Sequence, residues 1–359
     1  LIDAALSKKG ISADDEQFAQ LNFLELGLDS LSVAKMAKTL AKSLQLPISP
    51  ATFFQHVSFN ELTNALIMML NPTQTPTAEK HSVDNRTADN QLAIIGTACR
   101  FAGDVNSASD LWRNLNLGTD TVTAIPKNRL NLDAALADNP ELLKRTYANQ
   151  GAFLSNVWDF DARFFRISPP EAEQLDPQQR LLMEVVYEAI ENSGYTPEQL
   201  SQKTVGVYVA MSTDDFKAGT LLSDDFEQIN AHASMGSMFS SASGRIAYYF
   251  GFDGPAITID TACSSSLVAI HHAQLAVNNG DCDVAIIAGV NLMLSPHLFI
   301  CFSQMNALSP TGRCHTFSDQ ADGYVRAEGC AALVLEANSQ LGEYQRAKAV
   351  LAGSAVNLD

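Results

Sequence analysis

Asp260-Thr261-Ala262-Cys263-Ser264-Ser265-Ser266-Leu267 stands between two unlike patterns. Before it, Pro255-Ala256-Ile257-Thr258-Ile259 is short and β-branched, and reads as a buried strand. After it, Leu267-Val268-Ala269-Ile270, with Ala273, Leu275 and Ala276, reads as a helix. Cys263 therefore falls at a strand-to-helix turn, beside a helix N-terminus. Such ends offer free N–H groups and partial positive charge, and both favour thiolates. That is the setting of an activated nucleophile. The dipole contributes only about 0.3–2 kcal/mol. Position alone thus leaves open an inert, buried cysteine.

Outward from this turn the pattern alternates. Strands are expected at Leu92–Ile95, Val205–Ala210, Ala256–Asp260, Asp283–Gly289, Ala331–Glu336 and Ala347–Gly353. Helices are expected between several of them, including Pro170–Ser193 and Cys263–Asn278. Near-continuous apolar strands separated by helices imply an α/β fold with a sheet buried on both faces.

The first seventy residues differ. Leu26-Gly27-Leu28-Asp29-Ser30-Leu31 opens a helix whose apolar positions, Leu31, Val33, Ala34, Ala37, Leu40, Ala41 and Leu44, fall at helical spacing. Asp29 and Ser30 suit a helix cap, and a helix N-terminus also accommodates a phosphodiester. Residues 1–6 read as the end of a helix, and 11–26 as a long loop anchored by Phe18, Leu21 and Phe23. A short helical turn follows at 49–54, then a last helix with Leu62, Leu66 and Met69. Between this all-α region and the α/β region, 71–90 holds two prolines and almost nothing apolar, a linker composition.

At 359 residues the chain has room for two or three domains. Its formal net charge of −17 argues against nucleic-acid binding and against docking on anionic lipid. No apolar run approaches the ~20 residues of a membrane span. The six cysteines, Cys99, Cys263, Cys282, Cys301, Cys314 and Cys330, form no C-x-x-C pair, so no metal site is expected. Unpaired thiols fit a reducing cytoplasm.

Two sets of motifs carry a resemblance. The eleven residues from Asp260 to Ile270 resemble the active-site segment of the ketosynthases of polyketide synthases and related polyunsaturated fatty-acid synthases. Further segments agree in order: Leu92–Gly96 with Cys99-Arg100-Phe101; Phe164–Pro169 with Asp176-Pro177-Gln178-Gln179-Arg180; Ser243–Tyr248; Gly312-Arg313-Cys314; and Ala321–Arg326 with Glu328-Gly329. Gly27-Leu28-Asp29-Ser30-Leu31 resembles the modification site of acyl carrier proteins, in a polyketide or fatty-acid form. The resemblance implies an acyl carrier domain at 1–70 with a four-helix layout, a linker at 71–91 and the N-terminal part of a thiolase-like ketosynthase at 92–359. It implies 4′-phosphopantetheine on Ser30 and an acyl-accepting nucleophile at Cys263. That cysteine would condense its acyl group with a malonyl-type extender as CO2 leaves.

Implied partners are acyl and malonyl-type thioesters, a phosphopantetheinyl transferase, an acyltransferase with other synthase domains, and a second copy of the ketosynthase. The family's two histidine segments, needed for decarboxylation, do not occur here. The expectation is a piece of a longer protein. His271 and His272 lie two turns along the nucleophile's own helix and are expected to be structural, while His297 and His315 read as loop residues without a role. Two alternatives stay open: a ketosynthase that only transfers or gates chains, and a non-catalytic docking piece.

Overall fold

The computed structural model describes residues 30–46, 48, 52–53, 58–70, 91–126, 129, 145–222 and 229–357. The readings of 1–6, 11–26 and 71–90 lie outside the described residues. Contacts divide the chain between a first unit that takes in Leu1–Asn85 and a second that spans Arg86–Val356.

In the first unit, α1 (Ser30–Leu44) and α2 (Phe59–Leu70) are amphipathic. Ala37 and Leu62 from the two helices are buried together with Ile48 and Phe53, flanked by Leu40, Ala41, Leu44 and Leu66. Of the apolar stripe read from the sequence, Ala37, Leu40, Ala41 and Leu44 therefore form the packed face. Past the end of α1, Gln45 takes a left-handed φ of 52°, which stops the helix. Ser58 Oγ accepts the Glu61 N–H at 3.3 Å and caps α2. Thr52 and Phe53 are helical, as expected of that turn.

The second unit runs β1 (Leu92–Phe101), α3 (Ala108–Leu117), β2 (Val122–Ala124), β3 (Gln150–Ala152), α4 (Pro169–Glu173), α5 (Pro177–Asn192), β4 (Val205–Ala210), α6 (Ala231–Ser237), α7 (Phe239–Phe250), β5 (Ala256–Ile259), α8 (Ser265–Asn279), β6 (Val284–Asn291), α9 (His297–Gln304), β7 (Gly329–Ala337) and β8 (Ala349–Leu351). Six strands form one mixed sheet in the order β5-β4-β6-β7-β1-β8. β4 pairs in parallel with β5 and β6, whereas β7 runs antiparallel to β6 and β1. Alternation along β4 sorts the layers. Val205, Val207 and Val209 join the core that contains Leu182, Val185, Val186, Ala189 and Ile190 of α5. Tyr208 and Ala210 join the opposite core, with Ala269, Ala273 and Ala276 of α8. The sheet is thus covered on both faces, with α8 and its preceding turn at the C-terminal ends of the parallel strands.

Four expectations are corrected. β5 is not a buried strand: it is the edge of the sheet, and none of its four residues is fully buried. The helix expected over 170–193 is two helices. Asp176 caps α5 and Pro177 occupies its first turn, where a proline is tolerated but from which no helix can be continued backwards. His297 is not in a loop, since it opens α9. Cys330 lies inside β7 rather than before it.

Candidate active site

β5 ends at Ile259 and α8 starts at Ser265, and the residues between them make a tight, internally bonded turn. Ala262–Ser264 is one turn of 3-10 helix. Ala262 takes φ 53°, a left-handed conformation that costs an L-residue roughly 1–2 kcal/mol. Side chains of the turn hold it there. The Ala262 N–H donates to Asp260 Oδ1 at 3.0 Å. The Thr261 N–H donates to Ser265 Oγ at 2.8 Å, and the Ser265 hydroxyl donates to the Ala262 carbonyl at 2.7 Å. Ser264 Oγ bonds back to the Thr261 carbonyl at 2.9 Å. Cys263, at the centre, is exposed. Its backbone N–H makes no hydrogen bond among the described residues.

The start of α8 packs over Gly289 of β6, where an added Cβ would meet Ser266 Oγ at 2.8 Å and the Ser266 Cβ at 3.8 Å. Beyond that contact, Val268, Ala269 and Ala273 bury the helix.

Polar residues of the Asp176-Pro177-Gln178-Gln179 segment tie together the loops that follow β4 and β6. Gln178 is fully buried. Its Oε1 accepts the Leu292 N–H at 3.1 Å, after β6, and the Thr213 hydroxyl at 3.0 Å, after β4. Its Nε2 donates to the Thr213 carbonyl at 2.8 Å. Burial pushes the Asp176 carboxyl up to about 6, although it accepts the Gln178 N–H. Asp215 accepts the Leu294 and Ser295 N–H groups at 3.0 and 3.1 Å, and burial raises its carboxyl too. Arg129 and Glu328 form a fully buried ion pair at 3.0 Å. Glu328 also accepts the Leu154 and Met293 N–H groups, at 2.9 and 3.0 Å. A buried pair needs such added bonds to offset its desolvation.

Tyr324 comes from the downstream loop. Burial pushes its hydroxyl up, and Arg326 pulls it back. Arg326 is buried over the rings of Phe299 and Phe302, at 4.7 and 5.6 Å. Tyr324, Ser265 and Gln178 had no role assigned from sequence. The one signal pointing to them was their position inside the ordered motifs.

The other cysteines differ from Cys263. Cys99, Cys282 and Cys330 are buried, and burial pushes each thiol up, Cys282 to about 11. Cys301 and Cys314 are exposed, and Cys314 Sγ accepts the Val325 N–H at 3.1 Å. No hydrogen bond joins a histidine to Cys263 among the described residues. His271 pairs instead with Ser354 Oγ at 2.8 Å. Two open clefts of about 670 and 720 Å3 lie by Glu184 and by Tyr187, and neither borders Cys263. Among the described residues no cluster of His, Cys, Asp or Glu could hold a metal ion. Ser30 is the first residue of α1, in the first unit.

Two protein families match the chain. Residues 6–66 match the phosphopantetheine attachment site, and residues 89–340 match the N-terminal domain of beta-ketoacyl synthase. Erythronolide synthase EryA2 of Saccharopolyspora erythraea is 39% identical over 350 residues, which cover 96% of this chain and 10% of that protein. The pikromycin polyketide synthase component PikAII of Streptomyces venezuelae is 37% identical over 339 residues, covering 94% of this chain and 9% of that one. The oxazolomycin ketosynthase domain OzmH KS7 of Streptomyces albus superimposes with a TM-score of 0.63 at 36% identity, over 69% of this chain and 44% of that one. The ketosynthase from module 6 of the bacillaene synthase of Bacillus subtilis gives 0.58 at 34% identity, over 68% and 40%. The chain thus spans only 9% and 10% of the length of these two curated relatives, and less than half of the solved ketosynthases.

Proposed function

The chain belongs to the beta-ketoacyl synthases, with a phosphopantetheine attachment domain ahead of the synthase domain, and we propose that it takes an acyl chain onto Cys263 as part of a polyketide-forming assembly line. The observation that carries this reading is the exposed Cys263 on a strained, side-chain-braced turn, with its own N–H left unbonded. Sγ attacks the carbonyl of an acyl thioester. The Cys263 N–H receives the oxygen as it becomes negative. The departing thiol leaves an acyl-cysteine. In the condensation that follows, a malonyl-type thioester loses CO2, and the resulting enolate attacks the acyl-cysteine to give a β-ketoacyl thioester. The described residues supply the nucleophile for this step, and no histidine among them is bonded to it.

Ser30 is proposed to hold 4′-phosphopantetheine. The fit rests on its place as the first residue of a 15-residue helix, since such an end stabilises a phosphodiester. Bound there, the group supplies a flexible arm ending in a thiol that bears acyl chains as thioesters. A four-helix carrier layout, loading by a phosphopantetheinyl transferase and a cytoplasmic setting complete the reading. A two-fold dimer of the synthase domain is supported by the open edge of β5, where Ile257 is exposed, and by the exposed Tyr248 and Leu267 near it in sequence.

The test uses the full-length protein. It is treated with CoA and a phosphopantetheinyl transferase, then with a short acyl thioester, and the added masses are mapped by peptide mass spectrometry. Pantetheine on Ser30 and acyl on Cys263 are expected. A Cys263→Ala variant that still gains the acyl group would remove the nucleophile from the proposal.

A further inference from the structure

Between Thr261 and Ser265 five backbone N–H groups compete for partners, and the distribution is uneven. Thr261 donates to Ser265 Oγ, Ala262 to Asp260 Oδ1, Ser264 to the Thr261 carbonyl and Ser265 to the Ala262 carbonyl. Cys263 alone has no partner among the described residues. Ser265 accounts for much of this pattern. Its buried hydroxyl accepts from Thr261 at 2.8 Å and donates to Ala262 at 2.7 Å, so one oxygen grips both residues that precede the nucleophile. With Ala262 fixed at φ 53° between Ser265 and Asp260, the next amide is the one left out of the turn's bonding.

Resting on the assignment of Cys263 as the acyl acceptor, we infer that Ser265 is a positioning residue, whose hydroxyl holds the turn in the arrangement that keeps the Cys263 N–H free for the oxyanion. The step it serves is balanced. The Sγ–C bond forms as the carbonyl π pair moves to oxygen. That pair then returns as the thioester C–S bond breaks, and the leaving thiolate takes up a proton in place of the one Cys263 lost. A hydroxyl that merely stabilised the helix start would affect every reaction of Cys263 alike. One that keeps the amide free affects only reactions passing through an oxyanion.

Two rates at one pH in the full-length protein separate these cases: acylation of Cys263 by acetyl-N-acetylcysteamine, and its alkylation by iodoacetamide, which forms no oxyanion. Ser265→Ala is expected to slow acylation by about tenfold or more while alkylation changes by less than about threefold. Ser265→Thr, which keeps a hydroxyl, restores acylation to within about threefold of wild type. Unchanged acylation in Ser265→Ala, or equal slowing of both reactions, overturns the inference. Should Ser265→Ala not fold, Asp260→Ala and Asp260→Asn carry the same test. The alanine is expected to slow acylation selectively, and the asparagine, which keeps Oδ1, is expected not to. Equal behaviour of the two again overturns it. Wild-type protein that alkylates but never acylates defeats the acyl-transfer reading itself, and the inference with it.

Discussion

α1 and α8 are each 15 residues long, α1 starting at Ser30 and α8 two residues after Cys263, the two residues proposed to carry the acyl chain, yet they are held in opposite ways. α1 places Lys35, Lys38 and Lys42 in solvent and buries one stripe, centred on Ala37, against a small core. α8 has no Asp, Glu, Lys or Arg and lies on the sheet through Ala269, Ala273 and Ala276, with its first turn over Gly289. The difference matches the chemistry proposed for each. A serine that bears a long arm needs only a presentable helix end. A cysteine whose own amide must meet an oxyanion needs its backbone fixed, and a helix braced on a sheet provides that.

Perturbations that strike one helix and spare the other test this contrast. The largest effect belongs to Cys263→Ala, expected to lower acyl loading by about 10³-fold or more while leaving pantetheine transfer to Ser30 intact, by mass spectrometry. Ser30→Ala should give the converse, with no pantetheine and unchanged acylation of Cys263 by a soluble thioester. Gln178→Ala comes next. It leaves the buried Leu292 N–H without an acceptor and Thr213 without its partner, for a loss of about 2–4 kcal/mol in the synthase unit, read from denaturant unfolding.

The Asp176 carboxyl carries a pH signature. Its value of about 6 in the folded protein lies above its ordinary 3.8, so the folded state binds the proton more tightly. This contribution is fully present below about pH 4 and is lost as pH rises through about 6, a change of roughly 3 kcal/mol at most. Asp176→Asn keeps an acceptor for the Gln178 N–H and should flatten the fall in Tm between pH 4 and 6. Asp215 and Glu328, also raised by burial, leave a residual slope. Gly289→Ala should cost no more than about 1 kcal/mol and leave acylation unchanged, because the added Cβ meets only the rotatable Ser266 hydroxyl at 2.8 Å, with the Ser266 Cβ at an ordinary 3.8 Å. Ala37→Gly, confined to α1, is expected to cost only about 1 kcal/mol, in the first unit's unfolding and not the second's. A shift in both transitions would show that the two helices are not independently supported.

The strand β4 was legible to the residue, because Val205–Ala210 is apolar on both faces and occupies the interior of a covered sheet. β5 was misjudged for a related reason. Ala256-Ile257-Thr258-Ile259 has the same β-branched composition, but propensity does not say whether a strand has neighbours on one side or two. Gln178 and Asp176 fell inside the helix expected over 170–193. Their burial depends on loops 35 and 114 residues further along the chain, a separation no local pattern reports.

By itself the sequence determined that a helix opens around Ser30, that one chain joins an all-α region to an α/β region, and that Cys263 stands at a strand-to-helix turn. These are local properties, set by apolar period, by caps and by uninterrupted motifs. Tertiary structure decided the rest: which strand is the edge, which polar residues are buried, and that the Cys263 amide stays unbonded. Each of these depends on pairing between distant segments or on the closing of a turn's hydrogen bonds. Such choices are made only when the chain has folded and every buried donor must find an acceptor.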